Sequence, residues 1–227
     1  MYMSDDIAAR AAALLLACGA LAASSIEAGA QAAGTMPAIA RTVNRGHTVV
    51  QENGRPVVRL DAKEGDGMAI VAGAPFMEGT IELDVRGEDV QQRSFVGVAF
   101  GVQDDSTYEA VYLRPFNFRT PDTARAKRAV QYVSQPAYPW QKLRQESPGK
   151  YEQPVRPVPD PTSWVRVRLV VTRTQLSVYA NDGDDPDLVV TRLGDVKPGP
   201  VALWVGNNSR GDFANLTIVS APPATTR

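Results

Sequence analysis

One cysteine, Cys18, and one histidine, His47, occur in 227 residues. A single thiol permits no internal disulfide and no cysteine-ligated zinc, and one histidine without thiols gives zinc no ligand set. A serine triad would have to use His47, yet no Gly-x-Ser-x-Gly elbow accompanies it. Excess charge of one sign is also missing. Against 24 Lys and Arg stand 25 Asp and Glu, a formal net charge of −1, which gives no basis for expecting a nucleic-acid partner. Internal repeats of 20–50 residues are absent, and after the first thirty-odd residues no segment has helical periodicity. With 44% hydrophobic and 22% charged residues, the composition is that of a globular chain with one sizeable core.

Ala11 to Ala23 is an unbroken apolar and small-residue run, too short to span a bilayer comfortably but long enough for the apolar region of a signal peptide. Small residues follow at cleavage spacing, as Ala28-Gly29-Ala30 and Ala30-Gln31-Ala32. We therefore expect residues 1–32 to be removed on export, leaving a single secreted or periplasmic domain, 33–227. Cys18 would leave with the signal. Leu15-Leu16-Ala17-Cys18 also resembles a bacterial lipobox, so a lipoprotein anchored through Cys18 is the alternative and the one membrane attachment expected.

From about residue 38 the pattern has period two, broken by turn residues about every ten positions, the signature of an all-β sandwich. Asn53-Gly54 between two such runs predicts a two-residue hairpin turn, because both residues tolerate positive φ. Gly79 to Arg86 alternates Ile81, Leu83 and Val85 with Glu82, Asp84 and Arg86. Trp164 to Val171 sets Val165, Val167, Leu169 and Val171 against Arg166 and Arg168. Residues 135–163 break the rhythm with seven prolines, which prevent ladder pairing, and with Tyr138, Trp140 and Tyr151 among them. Such a connection without its own secondary structure reads as an ordered lid or as an arm covering a sheet edge.

Three stretches carry a resemblance. They are Gly79 to Gly87 followed by Ser94 to Phe100, then Tyr108-Glu-Ala-Val-Tyr-Leu-Arg-Pro-Phe-Asn-Phe-Arg119, then Gly199-Pro-Val-Ala-Leu-Trp-Val-Gly206 with Gly211 to Ile218. Together they resemble the concanavalin A-like lectin/glucanase superfamily, in its laminin-G-like and 3-keto-disaccharide-hydrolase-like branch. The resemblance implies a two-sheet antiparallel jelly-roll sandwich. It also implies a carbohydrate ligand in a groove across one sheet, although the fold alone does not fix activity. A glycoside-cleaving enzyme is the first reading, because a lid and convergent arginines exceed what lectin binding needs. A non-catalytic lectin-like or adhesion module is the alternative.

Glu82-Leu83-Asp84 resembles part of the Glu-x-Asp-x-Glu strand of laminarinase-type members. Arg86 stands where the third carboxylate belongs, so a solvated polar face is expected there. The segment 108–119 is more informative. Tyr112 and Arg114 share a face opposite Val111 and Leu113, and Asn117 and Arg119 follow on the next turn. Gln131 and Tyr132 on the next strand, and Trp140 from the insertion, extend the group. Guanidinium forks and amides suit sugar hydroxyls or carboxylates, and aromatic rings suit a sugar's apolar face. We take Tyr112, Asn117, Arg119, Gln131, Tyr132 and Trp140 as candidate substrate-binding residues and Glu109 and Arg114 as the candidate catalytic pair. Glu109 has the parity of Val111 and Leu113, so pairing with an arginine is the competing, structural role. Arg114 is expected at an exposed strand end, where truncation would spare stability. No cofactor or metal is expected. The one opening is structural calcium at Asn181 to Asp187, which has calcium-loop composition without EF-hand spacing, so a hairpin turn also explains it.

Overall fold

A computed structural model describes residues 36–222. The expected signal peptide, its cleavage sites and Cys18 lie outside the described residues. The chain forms two seven-stranded sheets in which every paired neighbour is antiparallel. Sheet A has the order β1 (Ile39–Val43), β4 (Gly67–Val71), β13 (Ala202–Val205), β6 (Val96–Phe100), β7 (Tyr108–Leu113), β8 (Val130–Gln135), β9 (Glu152–Gln153). Sheet B runs β12 (Leu188–Thr191), β11 (Gln175–Ala180), β10 (Val165–Val171), β5 (Gly79–Arg86), β14 (Gly211–Ser220), β3 (Arg55–Leu60), β2 (His47–Glu52). The all-β reading of the sequence is therefore correct, and so is the hairpin: Asn53 and Gly54 both have positive φ, 52° and 77°.

Register shows why these strands pair. Val165, Val167 and Leu169 face Val85, Leu83 and Ile81 across the ladder, so the apolar parity of β10 and β5 falls on one side. All six are buried between the sheets with Phe76, Phe100, Phe213 and Leu60. Each such side chain contributes about 1.5–3 kcal/mol relative to exposure.

The outer face of sheet B carries the opposite parity as a lattice of ion pairs. Arg55, Arg59, Arg86 and Arg166 meet Glu52, Glu82, Asp84 and Asp212 at 2.6–3.2 Å. Arg55 and Arg86 both pack on the Trp164 ring, each 4.4 Å from its centroid, and Arg168 lies over Tyr179. Glu82 and Asp84 are thus occupied by Arg166 and Arg55, as a structural polar face requires. Burial alone would raise the Asp212 carboxyl, but hydrogen bonds from Arg59 and Arg86, with their charges, outweigh it and hold its pKa below the usual carboxylate range. The sign follows. Asp212 stabilises the fold above the ordinary aspartate pKa, and this contribution is lost as acidification passes down to the lowered value. Urea midpoints measured from neutral to strongly acid pH should fall more steeply for the wild type than for Asp212→Asn; parallel curves would remove Asp212 from the acid response.

The structure departs from the sequence reading in residues 135–163. Proline-free Trp140–Glu146 forms helix α2, following the single turn α1 (Thr123–Ala126), and β9 adds to the edge of β8. Pro139 and Pro148 bound a stretch rich in Gln, Lys, Leu, Arg and Glu, all good helix formers, and Leu143 anchors α2 in the core. Pro-density hid a helix whose own residues favour one. In the 181–187 turn, Asp187 accepts backbone N–H bonds from Arg156 (2.7 Å) and Ala180 (2.9 Å), so this carboxylate holds the hairpin closed.

Candidate functional site

Strands β13, β6 and β7 place Trp204, Gly97 and Tyr112 in one cross-strand row. Trp204 and Tyr112 are two strands apart, so their backbones are separated by about 10 Å. Gly97 between them has no side chain, and the two rings close over it to a stacked pair, 4.8 Å between centroids and 28° between planes. A Cβ on Gly97 would run into the Val111 carbonyl and Tyr112 backbone. Phe95 meets Tyr112 edge-on at 6.0 Å and Phe116 at 5.5 Å. This aromatic row floors a cleft of about 670 Å³ on the outer face of sheet A.

The walls come from loops and helices. Trp140, Gln141 and Arg144 of α2 stand on one side with Gln135 and Pro139. Asn117, Arg125 and Arg128 come from the β7–β8 connection, while Asp66 and Asn207 stand across the sheet beside β4 and β13. Within residues 135–163, β9 extends the sheet edge beyond β8, and α2 walls the cleft.

The cleft's polar groups are fixed from below. Arg114 donates to the Tyr112 hydroxyl (3.1 Å), Gln131 Oε1 (3.0 Å) and the Arg128 carbonyl (3.0 Å). Gln131 is held in turn by donating to the carbonyls of Tyr132 and Tyr151. Asn117 donates to the Arg128 carbonyl and accepts from Arg125. Glu152 gathers three guanidiniums: Arg144 at 2.6 Å, Arg128 at 3.4 Å and Arg114 at 3.8 Å. Burial lowers the pKa of Arg114, and Tyr112 and Glu152 offset part of this. Burial likewise raises the Tyr112 phenol. On the opposite wall a relay runs from the Trp204 indole N–H to the Tyr108 hydroxyl (3.2 Å) and on to Asp66 (3.4 Å). Part of Asp66 is open to solvent, but its walls crowd the carboxyl, and this desolvation raises its pKa above the usual range; the Tyr108 hydrogen bond and the charge of Arg45 oppose the rise.

The sequence-derived candidates divide. Tyr112, Arg114, Asn117 and Trp140 line this cleft, and Gln131 lies buried directly beneath it as a support. Arg119 does not line it: its side chain is mostly exposed and pairs with Asp160 at 2.9 Å. Tyr132 does not extend the patch either, because the register sets Tyr132 opposite Val111, on the core side. Glu109 shares that side. Its carboxylate is held by Arg192 (2.6 and 3.1 Å) and by the Tyr132 hydroxyl (2.7 Å), and it faces the sandwich interior with its back to the cleft. The pairing of Glu109 and Arg114 as a catalytic couple fails on this geometry, since Glu109 points to the core side of β7 while Arg114, just past the strand's end, lines the cleft. Arg114 is also only 5% exposed, so its truncation would strand buried partners, at about 1–3 kcal/mol each, rather than spare stability. Sequence reasoning missed Asp66, Phe95, Arg125, Arg128, Arg144 and Trp204. Of these, Trp204 alternates with Leu203 and Val205, but both faces of β13 are apolar, so parity alone did not assign it to the cleft.

No family model and no curated protein sequence matches the chain. Solved structures do. The carbohydrate binding module CBM66 from Bacillus subtilis superposes with a TM-score of 0.54 at 13% identity, over 80% of this chain and 97% of that one. The fold is concanavalin A-like. A Bacillus subtilis protein of unknown function with a galectin-like fold gives a TM-score of 0.53 at 10% identity, covering 78% of this chain and 86% of its own. At these identities the likeness concerns architecture, and the chemistry of the cleft must be argued from its own residues.

Proposed function

We propose that the protein is an exported carbohydrate-binding module whose ligand lies in the cleft on the outer face of sheet A. The observation that carries this reading is the cleft's makeup: an aromatic floor formed by Tyr112 and Trp204, ringed by planar hydrogen-bonding side chains. A sugar offers the complementary pair of surfaces, an apolar ring face and a rim of hydroxyls. Export remains part of the proposal and rests on the apolar run and small residues of 1–32. The binding role named for CBM66 agrees with it.

Binding is favoured over glycoside cleavage by a specific count. Glycosidases of the common type flank the scissile bond with two carboxylates. Among the described residues lining this cleft, Asp66 is the single carboxylate, and Glu152 is clamped by arginines beneath it. One observation supports the enzymatic alternative: the raised pKa of Asp66 suits a general acid. A polysaccharide screen scoring both retention and released products separates the two. Retention without products is the expected result, and products lost in Asp66→Asn would establish the enzyme. In the same screen Trp140→Ala should weaken retention about tenfold or more while leaving the melting temperature nearly unchanged, because the residue is 38% exposed. Undiminished retention in Trp140→Ala would move the ligand away from α2.

A further inference from the structure

Within a chain of near-zero net charge, arginines meet carboxylates evenly on one sheet and unevenly on the other. On sheet B, the four arginines of the ion-pair lattice meet four acids. At the cleft, Arg114, Arg128 and Arg144 share one carboxylate, Glu152, which is buried, and Arg125 beside them pairs with no carboxylate among the described residues. Arg125 has weaker contacts still: its hydrogen bonds go to Asn117 Oδ1 (3.3 Å) and the Phe116 carbonyl (3.4 Å), both neutral. Asp66, the cleft's own acid, stands across β13 and β6 on the opposite wall. Three guanidiniums crowded on one carboxylate repel each other, and a walled cleft screens that repulsion less than open water does. A guanidinium fork is matched geometrically by carboxylate, sulfate or phosphate oxygens.

We infer that the cleft selects an anionic carbohydrate, whose oxyanion is received by Arg125 and Arg128 while its sugar ring packs on the aromatic floor. This rests on the carbohydrate-binding reading and adds the ligand's charge to it. The two guanidiniums suited to the task are half-buried and line the wall, whereas Arg114 and Arg144 are committed to positions below and beside them. The oxyanion of such a sugar comes from a uronate carboxylate or from a sulfate ester, and both present the same oxygen fork.

Two matched pairs of probes, measured by titration calorimetry on the purified protein, test this: oligogalacturonate against its methyl ester, and dextran sulfate against dextran. In at least one pair the charged member should bind about tenfold tighter or more than the neutral one, the value of a charge-assisted hydrogen bond. Its affinity should fall with added salt. Which pair responds identifies the oxyanion. Arg125→Gln with Arg128→Gln should abolish the preference, whereas Arg119→Gln, outside the cleft, should retain it. Neutral members binding as tightly as charged ones would overturn the charge selection and leave carbohydrate binding intact. If none of these probes binds and a neutral glycan array is also blank, both readings fall. A charge preference that survives the double substitution and disappears in Arg119→Gln would overturn the assignment to this cleft.

Discussion

Arg192→Met should lower the unfolding free energy by about 3–5 kcal/mol, because it leaves the Glu109 carboxylate buried without its cation. The Arg192 guanidinium is fully enclosed and also donates to the carbonyls of Thr172 (2.7 Å) and Met77 (3.0 Å), so it ties β7 of sheet A to turns flanking sheet B. Tyr132 extends the network by accepting from the Leu193 N–H (2.9 Å) while donating to Glu109. Denaturant midpoints of Arg192→Met, Glu109→Leu and the double variant form the relevant cycle. The double variant should cost less than the two single losses together, since removing both charges leaves neither uncompensated. Ligand affinity per folded molecule should be unchanged in Glu109→Leu. A stable Glu109→Leu protein that fails to bind or act on ligand would return Glu109 to the functional site.

The second large effect concerns the cleft floor. Trp204→Ala should destabilise the fold by about 3–5 kcal/mol, the usual range for truncating a buried tryptophan. It removes the Tyr112 stacking partner and the donor to Tyr108, so carbohydrate affinity should collapse with it. Trp204→Phe separates these effects. It keeps a ring over Gly97 but loses the indole donor, so it should recover most of the stability and part of the affinity. Calorimetry on the fraction that remains folded measures both. Trp204→Ala with unaltered affinity would show that the ligand does not rest on this floor.

Much of the fold was legible because its physics is local. Ile81, Leu83 and Val85 alternate with charged residues, and one-sided burial of a pleated strand requires that alternation. Asn53-Gly54 announced its turn through the conformational tolerance of both residues. The sheet-A site was legible only in part, since the faces of β6, β7 and β13 are both apolar in composition. There parity no longer separates core from cleft, and register decides which face a residue joins. Tyr112 and Arg114 were placed by parity along one strand. Tyr132 was misplaced because the β7–β8 register cannot be read from either strand alone. Arg125, Arg128 and Arg144 lie at the ends of two short helices whose docking against sheet A is set by tertiary packing, which leaves no periodic trace.

The distribution of tryptophan makes carbohydrate binding on the outer face of sheet A testable in one titration. The chain has three: Trp140 and Trp204 at the cleft, and Trp164 against Arg55 and Arg86 on the far face of sheet B. Their indole N–H resonances can be followed by heteronuclear NMR as the best-retained oligosaccharide of the screen is added. Binding on sheet A should move the Trp140 and Trp204 signals with a common saturation curve and leave Trp164 still. Movement of Trp164 with Trp140 and Trp204 unchanged would place the ligand on sheet B and contradict it.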